Sequence, residues 1–141
     1  MYTFLQSTHS HTRWLVFVAA AFAILMPLLN QSAGKQSKLP GLIFMIICDV
    51  QLLMGLMLYF GESPFGVKAF SEGMGHVMKT GELRKIAVEH FTLMLAAIAL
   101  VHIGYSKVKR ANNAAEVKKA SLLFFGIALL LILAGIPWAR L

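Results

Sequence analysis

Apolar side chains fall into four long runs along the chain, and polar or glycine-rich stretches separate these runs. The runs predict helices at roughly 8–29, 41–60, 84–105 and 120–138. Because an α-helix rises about 1.5 Å per residue, about 20 apolar residues cross the hydrocarbon core of a bilayer. Each run is close to that length. The pattern therefore predicts one all-α domain, residues 1–141, which is an integral membrane four-helix bundle with up-and-down connectivity.

Composition supports the membrane class and changes the interpretation of the positive charge. Hydrophobic residues make up 58% of the chain and charged residues 13%, whereas about 25% of residues are charged in soluble domains. The net charge of +7 comes from Lys and Arg residues that lie between the apolar runs. We therefore expect these residues to contact the headgroups of the lipid bilayer, and we do not expect nucleic-acid binding.

The basic residues also predict the orientation of the bundle. The connecting segments 30–40 and 106–119 face the same side, and the second holds five Lys and Arg residues. Short cytoplasmic connections of membrane proteins are enriched in Lys and Arg. We therefore expect a protein of the bacterial inner (cytoplasmic) membrane with both termini on the outer side.

Ionisable side chains inside the predicted spans are the candidate functional residues, because such groups are costly in a membrane. His11 lies just inside the first span, and His90 lies six residues into the third, about 9 Å along the helix. Up-and-down connectivity brings these two positions to a similar depth on the side of the termini. Histidines that face each other from two helices of a bundle can bind a haem iron as its axial ligands. The positions predict one haem b, with His11 and His90 as the metal ligands.

The surroundings of this histidine pair also suit a haem. Arg13 and Arg84, with Lys85, lie at the polar end of the spans, where the propionates of a haem need positive partners. Cys48 is the only cysteine, so the covalent attachment motif of c-type haem is excluded. The apolar walls would come from residues that continue the same helical faces, namely Leu15, Val18, Met94 and Ala97.

Two carboxylates lie within the predicted spans and are the candidate catalytic groups. Asp49 is near the middle of the second span, where it would relay protons or contact a quinol hydroxyl, or else form only a hydrogen bond between helices. Glu89 follows Lys85 by four residues and can pair with it on the same helix. Alternatively, Glu89 hydrogen-bonds a histidine of the first span.

The other histidines of the spans have simpler explanations. We expect His9 to lie at the membrane interface without a ligand. His102 has no histidine partner at its depth, and its position near Lys107 suits the C-terminal end of a helix. A further alternative is a metal site built from a His and carboxylate cluster. Its members would be His9, His11, Asp49, Glu89 and His90.

Several stretches of the chain together resemble a known family. These stretches are HSHTRW at 9–14, DVQLLMGLMLY at 49–59, Arg84 through Glu89-His90, and IPW at 136–138. With them, the chain resembles the short four-span bacterial membrane proteins labelled cytochrome b-like, over most of its length. The resemblance implies a b-type haem and electron transfer, with His9 or His11 and His90 at the ligand positions. Because His102 lacks a histidine partner, the chain departs from the two-haem pattern of larger cytochromes b.

Three functions agree with these observations. The first is a membrane cytochrome b-like electron carrier that exchanges electrons with quinol or a respiratory partner. The second is a haem-free accessory subunit of a larger membrane complex, in which the buried polar residues fix helix register. The third is an enzyme similar to the four-span, haem-dependent protoporphyrinogen oxidases, by analogy of size, span number and the use of a membrane histidine. The sequence leaves open whether the protein is an enzyme and whether it forms a homo-oligomer.

Overall fold

The computed structural model describes residues 1–30, 34–61 and 63–140, and residues 31–33, 62 and 141 of the chain ends and connections lie outside this description. The described residues form helices and turns without strands, which confirms the all-α prediction. Within the described ranges, four helices are long and apolar enough to span a membrane. The helices are α1 Tyr2–Leu29, α2 Lys35–Phe60, α3 Met74–Lys79, α4 Gly81–Arg110 and α5 Ala114–Gly135, with 3₁₀ turns at Val67–Glu72 and Trp138–Arg140.

The spanning helices extend beyond most of the predicted boundaries. α1 begins at Tyr2 rather than near residue 8, and α2 begins at Lys35 rather than near 41. Polar residues continue a helix readily, so apolar runs mark the membrane core and not the helix ends. α5 ends at Gly135, before the predicted 138. The reason is Pro137, because proline disfavours a helical backbone in the residue before it.

Small side chains on α1 form the centre of the bundle. Ala20 and Ala23 are fully buried, as are Val101 of α4 and Ala128 of α5. Small residues let membrane helices approach closely, which strengthens their van der Waals contact. Gly104 acts in the same way, because a Cβ there would lie 2.6 Å from the Cβ of Phe124 on α5.

Two spanning helices contain a π-helical turn. In α4 the π segment is Arg84–His90, and in α5 it is Ser121–Phe125. A π turn inserts one residue into the helix and shifts the side chains that follow it, and such turns are frequent at functional sites. The Tyr59 hydroxyl of α2 donates a hydrogen bond to the Ala87 carbonyl inside the first segment, at 2.9 Å. The π segment of α4 is therefore tied to α2 one turn before His90.

The connection between α2 and α4 lies on the same side as both termini. Gly66 allows it to turn back, because a Cβ there would lie 2.0 Å from the Tyr59 carbonyl oxygen. Ala69, Val77 and Ala87 form a small apolar cluster that attaches this connection to α4. The connection is thus a folded segment with short helical turns, placed over one end of the bundle.

Candidate functional site

His9 of α1 and His90 of α4 face each other inside the bundle. Their ring centroids are 6.4 Å apart, and the ring planes are nearly perpendicular, at 89°. The Nδ1 atom of His90 donates a hydrogen bond to the Gly135 carbonyl at the end of α5, at 3.0 Å. This bond fixes the ring orientation and the tautomer, so Nε2 is the nitrogen of His90 that remains available to a ligand.

The backbone around His9 is held by α2. The Gln51 amide donates to the His9 carbonyl at 2.7 Å, and the Thr12 hydroxyl donates to the Gln51 side-chain oxygen at 2.5 Å. Gly55 brings the α2 backbone close to the ring, because a Cβ there would lie 3.3 Å from Cε1 of His9. The Nδ1 atom of His9 is buried and has no hydrogen-bond partner among the described residues. The position of His9 is therefore fixed, while Nδ1 of its ring is unsatisfied.

A cavity of about 220 Å³ adjoins the two imidazoles. All four spanning helices contribute to it, and its wall is mainly apolar. Tyr59 closes part of this wall, since its ring stacks on Phe91 with centroids 4.0 Å apart. The apolar residues of the wall include Val16, Leu52, Leu56, Met94, Ile132 and Ile136.

Two arginines give the cavity a positive charge. The Nε atom of Arg13 is buried without a partner among the described residues, and its guanidinium lies 5.6 Å from the centre of the Trp14 ring. Arg140 lies over the Phe65 ring at 4.1 Å and contacts Glu82 at 3.4 Å. Both arginines line the cavity. The unpartnered Nε donor of Arg13 suits an anionic group, because a charge-assisted hydrogen bond would satisfy it.

His11, the predicted partner of His90, is not the histidine that the structure brings to it. His11 is exposed, and its Nδ1 contacts the Ser7 carbonyl of the previous turn at 2.7 Å. Residues two apart in a helix lie on nearly opposite faces, so only one of His9 and His11 can face the core. The outer face that carries His11 continues with Val18, Phe22 and Leu25, which are all exposed.

The small residues on the core-facing side of α1 distinguish His9 from His11. His9 lies on the same face as Val16, Ala20 and Ala23, at spacings of seven, eleven and fourteen residues. Small residues on a membrane helix mark the face that contacts other helices, and bulky ones mark the lipid face. Tracing the alanines back to the N-terminus points to His9. Arg140 and Gly55, which also border the cavity, give no comparable signal in the sequence.

Glu89 and Arg84 lie outside the cavity wall and bind each other. Arg84 contacts one carboxylate oxygen of Glu89 at 3.3 Å, and Lys85 contacts the other at 3.4 Å. Arg84 also donates to the Met78 carbonyl at 2.8 Å. The pairing of Lys85 with Glu89 at four residues is thus formed. The alternative contact of Glu89 with a histidine of α1 is absent from the described hydrogen bonds.

Asp49 and His102 form a second pair, away from the cavity. The Nε2 atom of His102 lies 2.7 Å from Oδ1 of Asp49, so α2 and α4 are joined by this contact. His102 therefore has a partner, and that partner is a carboxylate and not a histidine. The proposed five-residue metal cluster is not assembled: within the part of the chain that the structure describes, no three His, Cys, Asp or Glu residues could hold a metal ion together.

Comparisons with known protein families, with curated proteins and with solved structures found no match to this chain. The geometry of the histidine pair and its cavity therefore carries the functional argument.

Proposed function

We propose that this membrane protein binds one b-type haem between His9 and His90 and carries single electrons. The observation that supports the proposal is the separation of the two imidazoles, 6.4 Å between ring centroids. Bonds from imidazole nitrogen to a metal are about 2 Å long, so two axial imidazoles on one metal have centroids roughly 6 Å apart. The perpendicular rings and the buried, unpartnered Nδ1 of His9 agree with a site for a ligand.

The residues around the imidazoles suit the other parts of a haem. Apolar side chains would contact the faces of the macrocycle, and Arg13 and Arg140 would bind its carboxylates. The cavity of about 220 Å³ is smaller than the range of about 300–1,000 Å³ for small-molecule pockets. Side chains of the wall must therefore move when a group of this size enters.

A bound haem would supply reversible one-electron chemistry at its iron, and the protein would supply the ligands and their surroundings. Donation from Nδ1 of His90 to the Gly135 carbonyl makes Nε2 a stronger ligand. His9 and His90 would hold the group from two helices, and the apolar wall would limit the access of water to it. This arrangement favours electron transfer over catalysis at the iron. A membrane quinol or a respiratory partner protein would exchange the electrons.

The visible spectrum of protein purified from haem-replete cells tests the proposal. We expect a Soret band that shifts on reduction in the wild type, and loss of this band in His9→Ala and in His90→Ala. His11→Ala is the matched control, because His11 is exposed on the outer face of α1. We expect the spectrum of this variant to equal that of the wild type. Retention of the helical circular dichroism signal shows that each variant is folded.

A colourless wild type, or a band that disappears in His11→Ala and persists in His9→Ala, would contradict the proposal. Colourless protein would favour the haem-free accessory subunit. In that case the contacts of Gln51 with His9 and Thr12, and of His90 with Gly135, would serve only to fix helix register.

A further inference from the structure

The Asp49–His102 pair lies on the outer surface of the bundle, within the membrane-spanning part of α2 and α4. Asp49 is eleven residues from Lys38, about 16 Å along α2. The side chains of Asp49 and His102 are 40% and 47% exposed. Ionisable side chains in a membrane usually face the bundle interior or a water-filled cavity. This pair faces the surface, where hydrocarbon would surround it in a monomer.

The contact between the two residues satisfies only half of their polar atoms. Oδ1 of Asp49 and Nε2 of His102 bind each other. Over the described ranges, neither Oδ2 of Asp49 nor Nδ1 of His102 has a recorded hydrogen bond. Lipid tails offer no donor or acceptor, so these two atoms are costly until another molecule covers them.

We propose that a second copy of this chain covers the pair, through a two-fold interface formed by α2 and α4. An isologous interface places the same patch against itself, so the patch must be self-complementary. In a pair with no net charge, one proton lies between Oδ1 and Nε2 and a second lies on Nδ1. The patch then has one free acceptor, Oδ2 of Asp49, and one free donor, Nδ1 of His102. Because the two residues touch, they lie at the same depth in the membrane. A two-fold axis along the membrane normal that passes beside the pair would bring each Asp49 to the His102 of the other copy.

The side chains around the pair suit such an interface. On α2, Ile46, Val50 and Leu53 are exposed on the face that carries Asp49. On α4, Ile103 and the small Ala99 are exposed beside His102. The result is a polar centre inside an apolar rim, in which hydrogen bonds between the copies would fix their register. The outer face of α5 is also apolar, with Leu122, Ile127 and Leu130 exposed, but Leu122–Leu130 includes no ionisable residue.

Cysteine cross-linking in native membranes tests this interface. The natural Cys48 is 2% exposed and buried in the core, so it provides little background. Val50→Cys places a thiol beside Asp49, and Leu130→Cys places one on the outer face of α5 as the matched control. We expect oxidation to give a covalent dimer with Val50→Cys and to leave Leu130→Cys monomeric. Equal dimer yields from the two variants would overturn the proposal.

Substitutions at the pair test the role of the polar centre. In the Val50→Cys background, we expect Asp49→Leu, which removes every polar atom of the side chain, to lower the dimer yield roughly fivefold, as expected for the loss of hydrogen bonds between membrane helices. The exchange Asp49→His with His102→Asp keeps both groups at one depth, and we expect it to restore the dimer. Restoration also shows that the loss in the single variant is not due to misfolding.

If these substitutions left the dimer yield unchanged, the proposed role of the Asp49–His102 pair would be overturned. The protein could instead bind decylubiquinone, with Val50→Cys giving no covalent dimer and Asp49→Leu abolishing the binding. This result would overturn the dimer and assign the pair to a lipid-soluble ligand. The proposal does not depend on haem. Cross-linking and the visible spectrum are separate measurements, so either proposal can fail alone.

Discussion

Gly55 determines how close α2 can come to the imidazole of His9. A Cβ at this position would lie 3.3 Å from Cε1 of the ring, and the methyl groups of a larger side chain would extend further. The ring cannot retreat without losing its place, because Gln51 and Thr12 hold the backbone of α1 around it. The imidazole of His9 can therefore occupy its position only because residue 55 has no side chain.

We therefore expect Gly55→Val to displace the His9 ring and to weaken haem binding at least about tenfold, which corresponds to roughly 1.4 kcal/mol. Gly126→Val is the matched control, since it lies in a spanning helix and a Cβ there meets nothing within 4 Å. Haem titration of the apoprotein, followed by the Soret absorbance, measures both affinities. Equal affinities in the two variants would show that Gly55 has no such role.

The π segment of α4 contains one inserted residue, which alters the helix just before the candidate site. The segment ends at His90, and its Ala87 carbonyl accepts a hydrogen bond from Tyr59. The irregular turn changes which residues of the N-terminal part of α4 share a face with His90. Contacts from α2 and α5 stabilise it, including the Lys85 amine that donates to the Ala134 carbonyl at 2.9 Å.

Removing the Tyr59 hydroxyl should destabilise this segment. We expect Tyr59→Phe to lower the free energy of unfolding by about 1 kcal/mol, the typical value for one hydrogen bond, because the Ala87 carbonyl loses its side-chain donor. Tyr105→Phe is the control, because the Tyr105 hydroxyl has no hydrogen-bond partner among the residues that the structure describes. Thermal unfolding in detergent, followed by circular dichroism, compares the two. A larger loss in Tyr105→Phe would contradict this account.

The elements were more predictable from the sequence than the site. Four apolar runs suffice to predict four spanning helices, because a bilayer demands a minimum apolar length. The same uniform apolarity hides which face of α1 is inside, so His9 and His11 could not be ranked by hydrophobic periodicity. The π turn before His90 and the contact of His102 with Asp49 depend on tertiary packing, which no local pattern encodes.

At the scale of the whole molecule, the two ends of the bundle differ in chemistry. The histidine pair, both arginines of the cavity and the α2–α4 connection lie at the end with the termini. The other end is basic and closely tied: Lys38 of α2 donates to the carbonyls of Lys109 and Ala111, at 3.1 and 2.8 Å. Cations suit the C-terminal end of a helix, so this lysine also stabilises α4.

This asymmetry predicts the orientation, with the basic end in the cytoplasm. Alkaline phosphatase folds only where its disulfides form, so its activity reports export of the fused segment. We expect a fusion after Arg140 to be at least about tenfold more active than a fusion after Asn112, which follows the basic end of α4. The reverse order of activities would invert the topology.

The facing imidazoles belong to different helical hairpins, His9 to the α1–α2 pair and His90 to the α4–α5 pair. A group held by both rings would connect the N-terminal and C-terminal halves of the chain. It could bind only after the second hairpin had docked against the first, and partial separation of the hairpins would release it. The colour of the protein would then serve as a direct indicator of completed assembly, readable in intact cells.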